Sequence, residues 1–151
     1  MPFNRPSDGG LKSLFKDHLP EIFWQPIEAS SATGLPDMHY CFKHPEYIYC
    51  SGWIEFKLAK TNRLQHPPTP QQIAWAEQYW RQSGRVWCIV RKKNETRKNK
   101  CDELHFFHGE GMRYLSGTFG GIENVPKLYQ KGKWSGGPSK WDWKAIKEIL
   151  T

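Results

Sequence analysis

The sequence predicts an α/β (α+β) fold, a central mixed β-sheet flanked by helices in a single domain spanning residues 1–151. Two aromatic-rich runs, residues 38–42 and 53–58, stand either side of a turn at His44-Pro45-Glu46 and read as a β-hairpin. Residues 70–83 form an amphipathic helical pattern that stops at Gly84 and leads at once into the unbroken apolar run 86–90, as expected of a strand covered on both faces. The length of 151 residues, with eight tryptophans and 15% aromatic residues, is enough for one substantial core.

Taken in order, residues 1–10 read as a loose arm rich in Pro, Gly and Asn. Leu11, Leu14, Phe15 and Leu19 fall at helical spacing before Pro20 ends the helix. Residues 22–28 carry Phe23, Trp24 and Ile27 around Pro26, which suits an edge strand. A loop over 30–34 delivers the chain to Asp37, and residues 61–68 make a polar, proline-ended connection after the hairpin. In the following helix Ile73, Ala76, Tyr79 and Trp80 form the apolar stripe.

Residues 91–102 read as a basic hairpin loop, since 91–100 holds six basic residues and one acid, +5 of a total charge of +7. Residues 109–138 are glycine-rich and irregular. Ser139 to Asp142 fits a capping box opening a last helix to about Leu150. Tyr129, Trp134, Trp141 and Trp143, interleaved with lysines, are assigned to the core rather than to base stacking.

Several function classes are set aside at this stage. No apolar run approaches the roughly 20 residues a membrane helix needs, and the start MPFNRPSDGG lacks the apolar core of a secretory signal, so a cytoplasmic protein is expected. Cys41, Cys50, Cys88 and Cys101 show no CxxC spacing and read as free buried thiols. The pair His105 and His108 reads as a surface or loop feature rather than a metal site.

The chemistry concentrates in residues 34–60. Side chains alternate along a strand, so Glu55 and Lys57 share one face, while Ile54, Phe56 and Leu58 share the other. A hairpin folded about residue 46 pairs residues whose numbers sum to 92, which sets Asp37 opposite Glu55. Two facing carboxylates repel, and a hard divalent ion, Mg²⁺ or Mn²⁺, removes the conflict. Such an ion polarises phosphate and activates water, and Lys57 on the same face can orient that water or neutralise charge on the phosphate. The acid-x-lysine spacing alone is weak, since the chain has two such pairs, Glu55/Lys57 and Asp142/Lys144, about what its composition yields by chance. Gln72 closes a capping box with Thr69, Pro70 standing at the first helical position, and on sequence alone this role and a site role are evenly balanced.

Gly34-Leu35-Pro36-Asp37, then Trp53 to Lys57, then Thr69 to Trp75, a helix, Gly84 and the run 85–91 together resemble the PD-(D/E)xK nuclease superfamily. The order of these motifs is most similar to the VRR-NUC branch, which includes small stand-alone phage proteins described as Holliday-junction-resolvase-like. The resemblance covers residues 34–109, about half of the chain. It implies a restriction-endonuclease-like fold, with Asp37, Glu55 and the Phe56 backbone carbonyl as metal ligands, Lys57 as the catalytic lysine, and Gln72 as a helix glutamine facing the site. The family adds an acid from the first helix, for which Asp17, Glu21 and Glu28 are the candidates here.

The expected activity is Mg²⁺-dependent endonucleolytic hydrolysis of DNA, with Arg91, Lys92, Lys93, Arg97, Lys98 and Lys100 gripping phosphates. The phage relatives imply branched DNA, a Holliday junction above all, and a homodimer that makes two cuts. The alternatives are a nicking or flap-cutting repair nuclease of the same fold, a non-catalytic DNA-binding module, and a protein whose aromatics form a partner surface.

Overall fold

A computed structural model describes residues 8–28 and 33–151. Most of the expected N-terminal arm (1–7) and part of the loop before Asp37 (29–32) lie outside the described residues. One sheet organises the chain, with its six strands in sequence order: β1 (Phe23–Pro26), β2 (Met38–His44), β3 (Tyr47–Ala59), β4 (Val86–Asn94), β5 (Cys101–His108) and β6 (Gln130–Trp134). Four of the five pairings are antiparallel. The exception is β3 with β4, which are parallel because helix α2 (Pro70–Arg81) carries the chain back between them. Helices α1 (Leu11–His18) and α3 (Trp143–Ile149) complete the regular structure, together with short 3₁₀ segments, the longest at Gly109–Leu115. Among the described residues no helix is long and apolar enough to cross a membrane.

The hairpin register is the one expected. Met38 faces Ile54, His39 faces Trp53 and Tyr40 faces Gly52, each pair summing to 92, and the pattern slips only beyond Phe42. Strand alternation then sorts the side chains onto two covered faces. On one face α1 and α3 bury Tyr40, Ile54, Phe56, Ile89 and Phe106. Phe15 is fully buried there, with its ring 5.1 Å from Phe56 and 5.0 Å from Trp143. The Tyr40 hydroxyl donates to the Leu150 carbonyl (2.8 Å) and accepts from Trp87 Nε1 (2.9 Å), tying the C-terminal helix to the sheet. On the other face α2 and the segment Gly109–Leu115 cover Ala59, Val86, Cys88, Val90 and Phe107. The central strand β4 is buried from Val86 to Arg91, as its apolar run requires.

Several expectations are corrected. Residues 8–10 are not loose: the Asp8 carboxylate accepts the N–H groups of Gly10 and Lys12 (both 3.0 Å), placing an anion at the start of α1. The basic stretch is less of a loop than its charge suggests, because β4 runs to Asn94 and β5 begins at Cys101. The glycine-rich region contains β6, a short edge strand reading QKGKW, whose lysines and glycine hide it from a search for apolar alternation. The last helix is capped by Asp142, which accepts from the Ala145 N–H at 3.0 Å, and not by Ser139. His105 and His108 belong to β5 and are buried (8% and 7% exposed), so they are not surface or loop residues. Of the four free thiols, Cys50 and Cys88 are buried, whereas Cys41 and Cys101 are only half-buried. The aromatics assigned to the core hold that role: Trp141 is buried, and Trp143 stacks on His18 at 4.3 Å.

Candidate active site

The chain reaches Asp37 through a tight approach to α2. Gly34 has φ +72°, and a Cβ there would lie 2.3 Å from the Gln71 carbonyl oxygen, so only glycine passes. The Asp37 carbonyl accepts the Ile27 N–H at 2.8 Å, and its carboxylate Oδ2 accepts the Phe56 N–H at 3.1 Å. The paired register of β2 and β3 begins at Met38 opposite Ile54, so residues 34–37 stand outside the ladder.

Glu55 is 3% exposed, on the face covered by α2. Its Oε1 accepts from Gln72 Nε2 at 3.0 Å and lies 3.6 Å from Lys57 Nζ. Its Oε2 is buried and meets no donor. Burial above all, and then the charge of Asp37, pushes the Glu55 carboxyl up to about 8, against the lowering effect of Lys57. A hydrogen bond between the Glu55 and Asp37 carboxyls needs a proton on one of them, and the raised Glu55 carboxyl can supply it.

Gln72 resolves its two roles by performing both. Its Oε1 accepts the Thr69 N–H (3.0 Å) and closes the capping box with the Gln72 N–H on Thr69 Oγ1 (3.1 Å). A backbone donor fixes which end of the amide is oxygen, so Nε2 must face Glu55. The same Oε1 also accepts from Lys57 Nζ at 3.3 Å. The helix cap thus aims both the Glu55 carboxyl and the lysine, whose side chain is itself nearly buried.

These residues fit a hard divalent cation. The orphaned Glu55 oxygen beside Asp37 is a corner that either a proton or a cation satisfies. Among the described residues no group of three His, Cys, Asp or Glu side chains comes together, so a cation here would take Asp37, Glu55 and the Phe56 carbonyl and complete its shell with water and phosphate, as Mg²⁺ prefers. The first-helix acid does not arrive. Asp17 is exposed on α1, which packs on the opposite sheet face, and Glu21 pairs with Lys147 of α3 at 2.9 Å. Glu28 is exposed and next to Ile27, which bonds to Asp37, and is the one candidate on the approach to the site.

The basic residues separate. Arg91 is not free to hold DNA: it is buried, bonds Asp102 through Nε (2.9 Å) and Nη2 (2.8 Å), donates from Nη1 to the Gly9 carbonyl (2.7 Å), and lies 5.5 Å over the Trp141 ring. Lys92 and Lys93 are half-buried in β4, with Lys93 3.5 Å from Glu95. Arg97, Lys98 and Lys100 are fully on the surface of the loop 95–100. Sequence reasoning missed the aromatic group beside the acids. His39 packs on Trp53 (4.8 Å), Trp53 on Trp75 (5.5 Å), and Trp75 stacks on Tyr79 (4.8 Å, 11° between planes). The available signal was the alternation that puts Trp53 on the face of Glu55.

No family model, curated protein or solved structure matches this chain.

Proposed function

We propose that the protein is a metal-dependent DNA endonuclease of the PD-(D/E)xK kind, related to the VRR-NUC branch and acting on branched DNA as a homodimer. The observation that carries this reading is the buried, donorless Oε2 of Glu55 beside Asp37, with Lys57 held on the same face by Gln72. Bound Mg²⁺ or Mn²⁺ would supply Lewis-acid polarisation of a phosphate and an acidified water. Asp37 and Glu55 hold and orient that centre, and Lys57 neutralises charge developing on the phosphate oxygens. Gln72 keeps Lys57 in place, while Arg97, Lys98 and Lys100 attract the DNA backbone through sequence-independent charge.

The test is a gel assay of a labelled four-way junction and a matched linear duplex, in Mg²⁺ or EDTA, with wild type and Lys57→Ala. The expected result is Mg²⁺-dependent cutting of the junction, reduced at least about a hundredfold in Lys57→Ala with DNA binding retained. Equal cutting by the two proteins removes Lys57 from the mechanism. Binding without cutting in any metal makes the chain a DNA-binding module instead. Light scattering with junction DNA tests the dimer: a resolvase places two copies on one junction.

A further inference from the structure

Strand β3 is 13 residues long, and Glu55 and Lys57 lie in its second half. The face that carries Glu55 and Lys57 continues backwards through Trp53, Ser51 and Tyr49, as far as the bulge that ends the regular β2–β3 register, and Tyr49 lies about 20 Å from Glu55 along the strand. Trp53 is half-buried against Trp75 and Tyr79 of α2, whereas Tyr79 is 36% exposed and Tyr49 69%. Tyr47, Tyr49, Ser51, Tyr79 and exposed Arg85 line one hollow of about 280 Å³, which no acidic side chain enters. The Tyr79 ring is seated there by Gly84, where a Cβ would fall 2.2 Å from Tyr79 Cε1.

We infer that this row of rings is a stacking track for an unpaired DNA strand leading into the active site. The inference rests on the proposed nuclease activity and narrows its substrate to branched DNA with unpaired nucleotides beside the scissile phosphate. The occupant follows from the chemistry. Aromatic faces in sequence along a groove stack bases of any identity, a cation at the rim answers the phosphates, and paired bases present no free faces to such rings. Tyr49 and Ser51 stand on the same β3 face as Glu55, so a strand stacked on Tyr49 and Tyr79 is directed along β3 towards Glu55.

The test measures binding alone, in EDTA and in the Lys57→Ala background, so that it is independent of cleavage. A short oligothymidylate and a duplex of equal length are titrated while tryptophan fluorescence is followed. The expected result is quenching by oligothymidylate, with affinity lowered about tenfold by Tyr49→Ala and by Tyr79→Ala, kept in Tyr79→Phe, and duplex affinity unchanged throughout. Tyr49 is a surface residue, so its variant reports on stacking even if Tyr79→Ala loosens α2. Failure of oligothymidylate to bind, alanine variants that bind it like the parent, or equal losses for single strand and duplex would each overturn the track. Retained tyrosine-dependent binding in a protein that cuts nothing would support the track and retire the nuclease reading.

Discussion

Two charged corners of the same sheet are built from the same kinds of residue and end differently. At one, Arg91 and Asp102 meet across β4 and β5 with two hydrogen bonds, a third guanidinium N–H goes to the Gly9 carbonyl, and the group lies over the Trp141 ring. At the other, Glu55 and Lys57 sit closer to the core, yet Glu55 Oε2 is buried with no donor, and Lys57 Nζ stands 3.6 Å from Oε1. A charged pair that serves structure closes its hydrogen bonds, because each open one costs about 1–3 kcal/mol. The open corner beside two acids is where added chemistry would relieve a cost that folding leaves in place.

The largest effect that separates the corners is on stability. Arg91→Ala strands Asp102 without its bidentate partner, and a loss of about 3 kcal/mol is expected by urea unfolding, the low end for a buried pair because Asp102 is partly exposed. Glu55→Gln is expected to leave stability unchanged or to raise it while removing Mg²⁺-dependent cutting. A Glu55→Gln protein that unfolds as readily as Arg91→Ala would mean that both corners are structural.

The pH dependence sharpens the contrast. Glu55 holds its proton up to about 8 when folded, against 4.5 ordinarily. Between those values the native state binds a proton that the unfolded chain has lost, so in EDTA stability falls as pH rises through that window. Glu55→Gln should flatten this limb in thermal melts at a series of pH values, and Mg²⁺ should restore more stability above pH 8 than below it. His108 acts in the opposite sense: burial holds it neutral down to about 4, so its contribution is lost as pH falls from 6.5 towards 4. A Glu55→Gln melt with an unaltered alkaline limb would place the strain elsewhere.

The smallest expected effect concerns the basic loop. Replacing Arg97, Lys98 and Lys100 together by alanine should weaken junction and duplex binding alike and make the salt dependence of binding shallower by up to about three in its log–log slope. Arg91→Ala, in the fraction that remains folded, should leave that slope as it was.

Local and pairwise signals in the sequence carried far, and contacts across the fold did not. The turn at residues 44–46 and strict alternation were enough to pair Met38 with Ile54 and so bring Asp37 to Glu55. The helix beginning at Pro70 was legible from its Thr69 cap, and the resemblance alone turned the capping glutamine towards the site; its bonds to both Glu55 and Lys57 needed the fold, since nothing local reveals what faces an N3 side chain. Arg91 was misread because its partner, Asp102, comes eleven residues later and meets it only when β5 returns. The histidines of β5 were misread for the same reason: burial of a polar strand depends on what packs over it. The last helix starts three residues later than the Ser139 box would place it, because Asp142, read as the far end of that box, is itself the cap. Within the site, the acids follow a motif, whereas the aromatic row needs both the strand face and α2 to be seen together.

Whether the Glu55 corner takes a divalent cation is tested most directly by calorimetric titration of Mg²⁺ into the wild type and Glu55→Gln near neutral pH. The predicted result is saturable binding to the wild type that releases protons, as a ligand carboxyl pushed up to about 8 must when the cation replaces its proton, and no binding to the variant. Equal binding by both proteins, or none by the wild type, would contradict it.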